Sequence, residues 1–380
     1  YTGGDPAGAP LDRLGDKRVA IIGTGATAVQ CVPHLARACR ELYVFQRTPS
    51  SVDVRDNQPT DMEWFEREVA GEGWQKRWME NFCTLQTGGF ADDDLVGDGW
   101  TDIARRVRDR VIAKATDGIT ADLLTEAFDD ADFEKMDEIR ARVDEVVDDP
   151  ATAAALKAWY RQLCKRPTFH DEYLQAYNEP GVTLVDTDGQ GVERITPTGV
   201  VVAGREYEVD CIVYASGFEV GTSYQRRSGF DLTGRDGRTL AEHWDDGMRT
   251  MHGIHVHGFP NAFVVGSTQA GNLLSNYPHN LSEAGRTIAT VVAHAEAEGA
   301  ERVEVTAEAE QAWVDLVVGS PMLFPGASLE CTPGYYNNEG QPIDDRARQS
   351  FAGYPGGPVA FFQFIDAWRR SGAFDGLTFT

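Results

Sequence analysis

Arg18-Val19-Ala20-Ile21-Ile22-Gly23-Thr24-Gly25-Ala26-Thr27-Ala28 is the stretch whose reading decides the fold of this chain. An apolar, β-branched run over 18–22 stops at a glycine. Helically spaced apolar residues (Val29, Val32, Leu35, Ala36) then follow over 24–40. The run predicts a buried strand and the spacing a helix. Leu42-Tyr43-Val44-Phe45 reads as a second strand and closes a strand–helix–strand unit. Pro33 is taken to fall early enough in the helix to be tolerated with some strain. Between strand and helix the residues spell G-x-G-x-x-A. The first glycine permits a tight turn, the second lets backbone approach a pyrophosphate, and the small third residue lets helix pack on strand. The helix start adds free N–H groups and a positive partial charge. Gly23, Thr24, Gly25, Ala26, Thr27 and Ala28 are therefore expected to bind a dinucleotide. The alternative is a tight turn that holds no ligand.

The end of the second strand selects the dinucleotide. NAD sites usually place an acidic residue there, roughly 20 residues beyond the glycines, to hold the ribose hydroxyls. This chain has Gln46-Arg47-Thr48. A carboxylate would repel a 2′-phosphate, whereas a guanidinium and a hydroxyl bind one. Arg47 and Thr48 thus point to NADP, against the alternative that Arg47 is only a surface residue.

Composition bounds the rest. The 380 residues suggest two or three domains at roughly 150 residues each, and 42% apolar content allows a sizeable core. A formal charge of −25 repels phosphate backbones and anionic lipid, so neither nucleic acid nor membrane is an expected partner. No apolar run of roughly 18 residues is present and no secretory leader is visible. Cys31, Cys39, Cys83, Cys164, Cys211 and Cys331 are scattered without paired spacing, which suits reduced thiols in the cytoplasm better than a disulfide scaffold or zinc site.

Along the chain, residues 1–16 read as a loop. Acidic helical stretches dominate 61–160, notably 61–70, 102–115 and 133–147. Strand signals return at 182–185, 200–202, 211–214 and 262–265, and helices are expected over 282–297, 307–318 and 359–371. His252, His255 and His257 crowd together beside Gly253 and Gly258, which looks like loop chemistry rather than a metal site. The Tyr- and Asn-rich loop 330–340 is either pocket-lining or a packed Ω-loop.

Arg18 to Ala28, closed by Val44-Phe45-Gln46-Arg47-Thr48-Pro49, resembles the second nucleotide-binding motif of class B flavin-dependent monooxygenases, particularly the Baeyer–Villiger type. The similarity recurs at Lys165-Arg166 ahead of Tyr173 and Asn178. It recurs again at 210–218, ending Ala215-Ser216-Gly217-Phe218, where the family more often has Thr for Ser216. The fourth match is Asn261 to Gly266 followed by Leu274-Ser275-Asn276-Tyr277. The resemblance implies that Lys165 helps hold the 2′-phosphate. It implies that Arg166 is the catalytic residue, stabilising anionic charge over the flavin, and that Tyr277 contacts FAD. A fixed cation aimed at developing oxyanion charge is physically apt for that task. The alternative for Lys165-Arg166 is a basic pair capping a helix that ends near Cys164.

The implied fold class is α/β: a Rossmann-like NADP-binding domain (11–60 and 160–215) with a helical insertion (61–159). The C-terminal part of a two-dinucleotide-binding-domain flavoprotein (216–380) follows. The implied reaction uses NADPH, FAD and dioxygen to insert oxygen beside a ketone carbonyl through a flavin peroxide. A first G-x-G-x-x-G and the fingerprint F-x-G-x-x-x-H-x-x-x-W, which the family carries ahead of a Y-T-G-G-like segment, do not occur in these residues. On that basis the chain by itself is expected to bind FAD poorly, to be inactive and to expose an apolar face. Oxygenation of nitrogen or sulfur, and a non-catalytic NADP-binding module, are the alternatives.

Overall fold

The computed structural model describes residues 10–380 apart from 88, 90, 116–117, 219–222, 267, 272–275, 320–329, 343–348 and 350–351. Residues 1–9 of the expected opening loop, and Ser267, Leu274 and Ser275 of the fourth matching segment, lie outside the described residues. The chain divides into two units, Tyr1–Asp61 with Asp98–Phe218, and Met62–Gly97 with Glu219–Thr380.

In the first unit β1 (Arg18–Ile22), α1 (Ala26–Ala38) and β2 (Glu41–Gln46) form the expected strand–helix–strand. The sheet order is Val182–Asp186, β2, β1, Cys211–Tyr214, with every pairing parallel. Side chains alternate across it with the two-residue period of a strand. Val19, Ile21, Leu42 and Val44 join Val29, Val32 and Leu35 of α1 in one core. On the other face Ala20, Phe45 and Val185 join Val200 and Val202 of an antiparallel meander, Arg194–Ile195, Gly199–Val202 and Arg205–Glu208. The Tyr207 ring meets Tyr43 and Phe45 edge-on at 5.6 and 5.5 Å. Cover on both faces is why the central strands are apolar over 19–22 and 42–45.

Pro33 does not fall early in α1. It lies mid-helix and buried. Its missing N–H is tolerated because tertiary packing of the apolar face, not the hydrogen-bond ladder alone, holds a helix of this length.

The acidic stretches are helical, with different bounds. Gly99–Lys114 is capped by Asp98, whose carboxylate accepts from the Trp100 N–H, and Ala121–Val146 is one 26-residue helix capped by Thr120. Where a helix over 61–70 was expected, Met62–Trp64 runs into a π-turn, Phe65–Val69. Between the long helices Lys135 is buried. Its Nζ lies 2.6 Å from Asp53, 3.3 Å from Asp102 and 3.7 Å from Glu138.

The second unit packs Tyr277–Glu298, Ala307–Val318, Gly357–Ser371 and Trp74–Gln86 around Trp313, Phe361, Ile365 and Trp368. An antiparallel pair, Val303–Val305 with Leu377–Phe379, completes it. The expected strand over 262–265 is absent, and Phe263 makes only an isolated bridge to His255. Pro260 brings no N–H and Asn261 turns left-handed at φ 58°, which keeps a ladder from starting there. No helix of the described residues is long and apolar enough to cross a membrane.

Candidate cofactor site

The glycine turn is built by close backbone approach. Gly23 has φ 111°, and a Cβ there would come within 2.4 Å of the Ala215 carbonyl oxygen. The first glycine is thus imposed by the neighbouring strand's exit, which also brings Ala215 and Ser216 against the turn. Gly25 differs. Its backbone is extended, and nothing lies within 4 Å of where a Cβ would be. No side chain caps α1 there, so its first-turn N–H groups take no acceptor from a cap side chain. Ala28 is fully buried, as the motif's third small residue should be, while Thr27 is exposed.

Hydrogen bonds then tie the turn to the end of β2. The Thr24 hydroxyl donates to the Thr48 carbonyl at 2.7 Å, and the Ser50 hydroxyl donates to the Thr24 carbonyl at 2.6 Å. Gln46 is buried, its amide donating to the Ala155 carbonyl at 2.8 Å, while Arg47 is exposed. The side chain that points inward at this position is therefore neutral and the one that points outward is cationic.

Lys165, 117 residues from Thr48 in sequence, donates from Nζ to its hydroxyl at 2.7 Å. The ammonium also lies 5.8 Å from the centre of the Tyr160 ring. Tyr160 Oη donates to the Pro49 carbonyl at 2.9 Å and accepts from the Ser51 N–H at 3.0 Å. Burial pushes its phenol pKa well up, so it stays a neutral donor.

Lys165 is extended, at φ −129° and ψ 167°, so the next side chain leaves in another direction. Arg166 is exposed and stacks its guanidinium 5.3 Å over the Trp100 ring. No carboxylate among the described residues lies within ion-pair distance of it. Trp100 rests on Phe169 at 5.0 Å, and a Cβ at Gly99 would come within 2.3 Å of the Phe169 ring. Asp98 caps this helix start and pairs with Arg55 at 2.7 Å. The stretch Gln162–Cys164 before the basic pair is a single 3₁₀ turn, not the end of a longer helix.

In the second unit Tyr277, half exposed, opens the helix Tyr277–Glu298, whose start is capped by the Asn276 side chain. The three histidines there go to separate neighbours. His252 is edge-on to Trp313 and Trp368 at 4.6 and 4.8 Å, His255 faces Phe263 at 5.6 Å, and His257 Nδ1 lies 2.9 Å from the Val305 carbonyl. Burial lowers the pKa of His252 to about 3 and of His255 to about 4. The loop 330–340 is packed by Asn337, which donates to the Cys331 carbonyl and accepts from Gly334 and Gly340.

Sequence reasoning missed Tyr160, Trp100 and Lys135. Only position relative to Lys165-Arg166 could have suggested the first, and nothing in spacing marks the other two. The residues that the structure does assemble suit a phosphorylated dinucleotide: an open glycine, an uncapped helix start, and a hydroxyl and ammonium at the rim.

A scan against protein-family models finds no match. Among curated proteins, the chain is 48% identical over 375 residues to neopentalenolactone D synthase of Streptomyces avermitilis, covering 98% of this chain and 62% of that protein. It is 47% identical over 378 residues to a Baeyer–Villiger monooxygenase of Stachybotrys chlorohalonatus, covering 100% of this chain and 60% of that protein. Among solved structures, the polycyclic ketone monooxygenase of Thermothelomyces thermophila superposes with a TM-score of 0.85 at 38% identity, covering 100% of this chain and 62% of that one. An oxidized steroid monooxygenase bound to NADP superposes with a TM-score of 0.69 at 26% identity, covering 99% and 68%. The chain spans about three fifths of the length of the curated relatives it matches. On these comparisons and on its sequence motifs, the chain is similar over this portion to flavin-dependent monooxygenases of the Baeyer–Villiger type.

Proposed function

We propose that this chain serves an NADPH- and FAD-dependent Baeyer–Villiger oxidation, inserting one oxygen atom of dioxygen beside the carbonyl of a small-molecule ketone in the cytoplasm. The observation that carries the reading is the Lys165–Thr48 contact of 2.7 Å at the rim of the open glycine turn. It joins two motifs far apart in sequence into one phosphate-binding edge. The names of the relatives, a polycyclic ketone monooxygenase and an NADP-bound steroid monooxygenase among them, support the same direction.

In this reading the turn Gly23 to Ala28 and the start of α1 hold the pyrophosphate. Arg47, Thr48 and Lys165 hold the 2′-phosphate, each suited to an anion as donor or cation. When bound, NADPH supplies hydride and the flavin activates dioxygen. Arg166 supplies a charge that cannot titrate near neutral pH, held ready for oxyanion stabilisation. Tyr277 is the residue assigned to FAD. The functional division follows the sequence reading: NADP binding by 11–60 and 160–215, a helical insertion over 61–159, and FAD-domain and pocket elements over 216–380.

Replacing Arg166 tests the assignment. In the full-length enzyme, Arg166→Ala is expected to lower ketone oxygenation by about 100-fold or more, the scale of losing one oxyanion-stabilising group, while NADPH oxidation remains measurable. Undiminished product would overturn the role of Arg166.

A further inference from the structure

We infer that Tyr160 is a positioning residue that sets the preference of this site for a 2′-phosphorylated nucleotide over its unphosphorylated counterpart. The inference rests on the NADP reading above and deepens it.

Three observations converge on this side chain. Its ring is the surface beneath the Lys165 ammonium, at 5.8 Å. Its hydroxyl bridges Pro49 and Ser51, donating to one carbonyl and accepting from one N–H. Pro49 directly follows Thr48, whose hydroxyl receives the same ammonium, and Ser51 lies two residues further on. One aromatic residue therefore fixes both halves of the phosphate edge: the cation, through ring and ammonium, and the hydroxyl-bearing strand exit, through two hydrogen bonds.

The chemistry explains why a tyrosine suits the place. Lysine is a flexible point charge on a long stem, so its position has to come from its surroundings. A ring face attracts the ammonium without neutralising it, whereas a carboxylate would hold it and repel the incoming phosphate. Burial keeps the phenol protonated, so the ring stays neutral and the bridge to Pro49 stays in place.

The glycine turn assigned to the pyrophosphate hydrogen-bonds to Thr48 and Ser50 and, among the described residues, not to Tyr160. The effect should thus fall mainly on the 2′-phosphate. The experiment compares binding of 2′,5′-ADP and 5′-AMP to the full chain by isothermal titration, in the parent and in Tyr160→Leu and Tyr160→Phe. The parent should favour 2′,5′-ADP. Tyr160→Leu, which loses ring and bridge, should cut that preference by about tenfold, the scale of one cation–π contact plus hydrogen bonds. Tyr160→Phe, which restores the ring, should recover part of it, and 5′-AMP binding should stay within about twofold throughout.

A parent that binds the two nucleotides equally overturns the NADP reading and this inference with it. A parent that discriminates, with either variant discriminating as well as the parent, overturns this inference alone. So does an equal loss for both nucleotides, which marks a merely structural tyrosine. Because Tyr160→Phe conserves the buried volume, it keeps the test open if Tyr160→Leu fails to fold.

Discussion

Lys135 and Lys165 belong to the same unit of a strongly acidic chain, and their surroundings differ in kind. Lys135 is buried with Asp53, Asp102 and Glu138 around its ammonium. Burial pushes its pKa down, but Asp53 and Asp102 outweigh burial and raise it. Lys165 meets a hydroxyl and an aromatic ring instead, and its neighbour Arg166 lies over Trp100. The first arrangement consumes the positive charge inside the protein. The second orients it through hydroxyl and ring contacts, an arrangement suited to meeting a phosphate or an oxyanion. In a chain of net charge −25, a carboxylate is the ordinary neighbour of a cation, so ring and hydroxyl surroundings are informative.

Four measurements break or sharpen this contrast. The largest effect is expected from Lys135→Met. Removing Lys135 leaves the buried Asp53 carboxylate without its cation and should cost about 3–5 kcal/mol, read by urea denaturation. A loss under about 1 kcal/mol would mean that Lys135 is no more structural than Lys165.

Acidification comes next and separates buried charge from buried neutrality. The folded pKa values of His252 and His255 are lowered to about 3 and about 4, against roughly 6.5 unfolded. Their contribution is therefore complete above pH 6.5 and is lost as pH falls below it, by about 2 kcal/mol per histidine at pH 5. Burial alone would raise Asp102, but Lys135 and Arg106 hold its carboxyl below the usual range. The ion cluster thus keeps its contribution until pH falls below roughly 4. Hydrogen exchange should show protection falling around 251–256 between pH 6.5 and 5, while Gly99–Lys114 stays protected. Parallel loss in both places would contradict the assignment.

Lys165→Met should weaken NADP binding by about tenfold, or about 1.4 kcal/mol. Its effect on unfolding should stay within roughly 1 kcal/mol, the reverse of the Lys135 pattern. The smallest effect is expected at Trp100. In the full-length enzyme, Trp100→Leu removes the ring beneath Arg166 and should lower product formed per NADPH oxidised by about threefold, on the scale of a partly exposed cation–π contact. An unchanged ratio would show that Arg166 does not depend on its seat.

Much of the first unit was legible before any coordinates. The run 18–22, the glycines and the run 42–45 carry the turn, because hard-sphere backbone limits and strand periodicity act within a few residues. Ala28 as the small packing residue and the neutral-then-cationic pair Gln46-Arg47 were readable for the same reason. Misreadings arose where neighbours distant in sequence override local pattern. Pro33 lies mid-helix and buried, and 262–265 pairs only at one bridge because Pro260 and Asn261 precede it.

What the sequence determined by itself was the strand–glycine turn–helix unit, the parallel α/β character and the kinship of the chain, since each is written in contiguous residues. Only the tertiary structure decided which distant side chains share an edge: Lys165 with Thr48, Tyr160 beneath both, Lys135 among carboxylates and Arg166 over Trp100. The physical reason is range. Backbone sterics and periodic burial act locally, whereas electrostatic and aromatic contacts depend on where the folded chain returns, which no local spacing specifies.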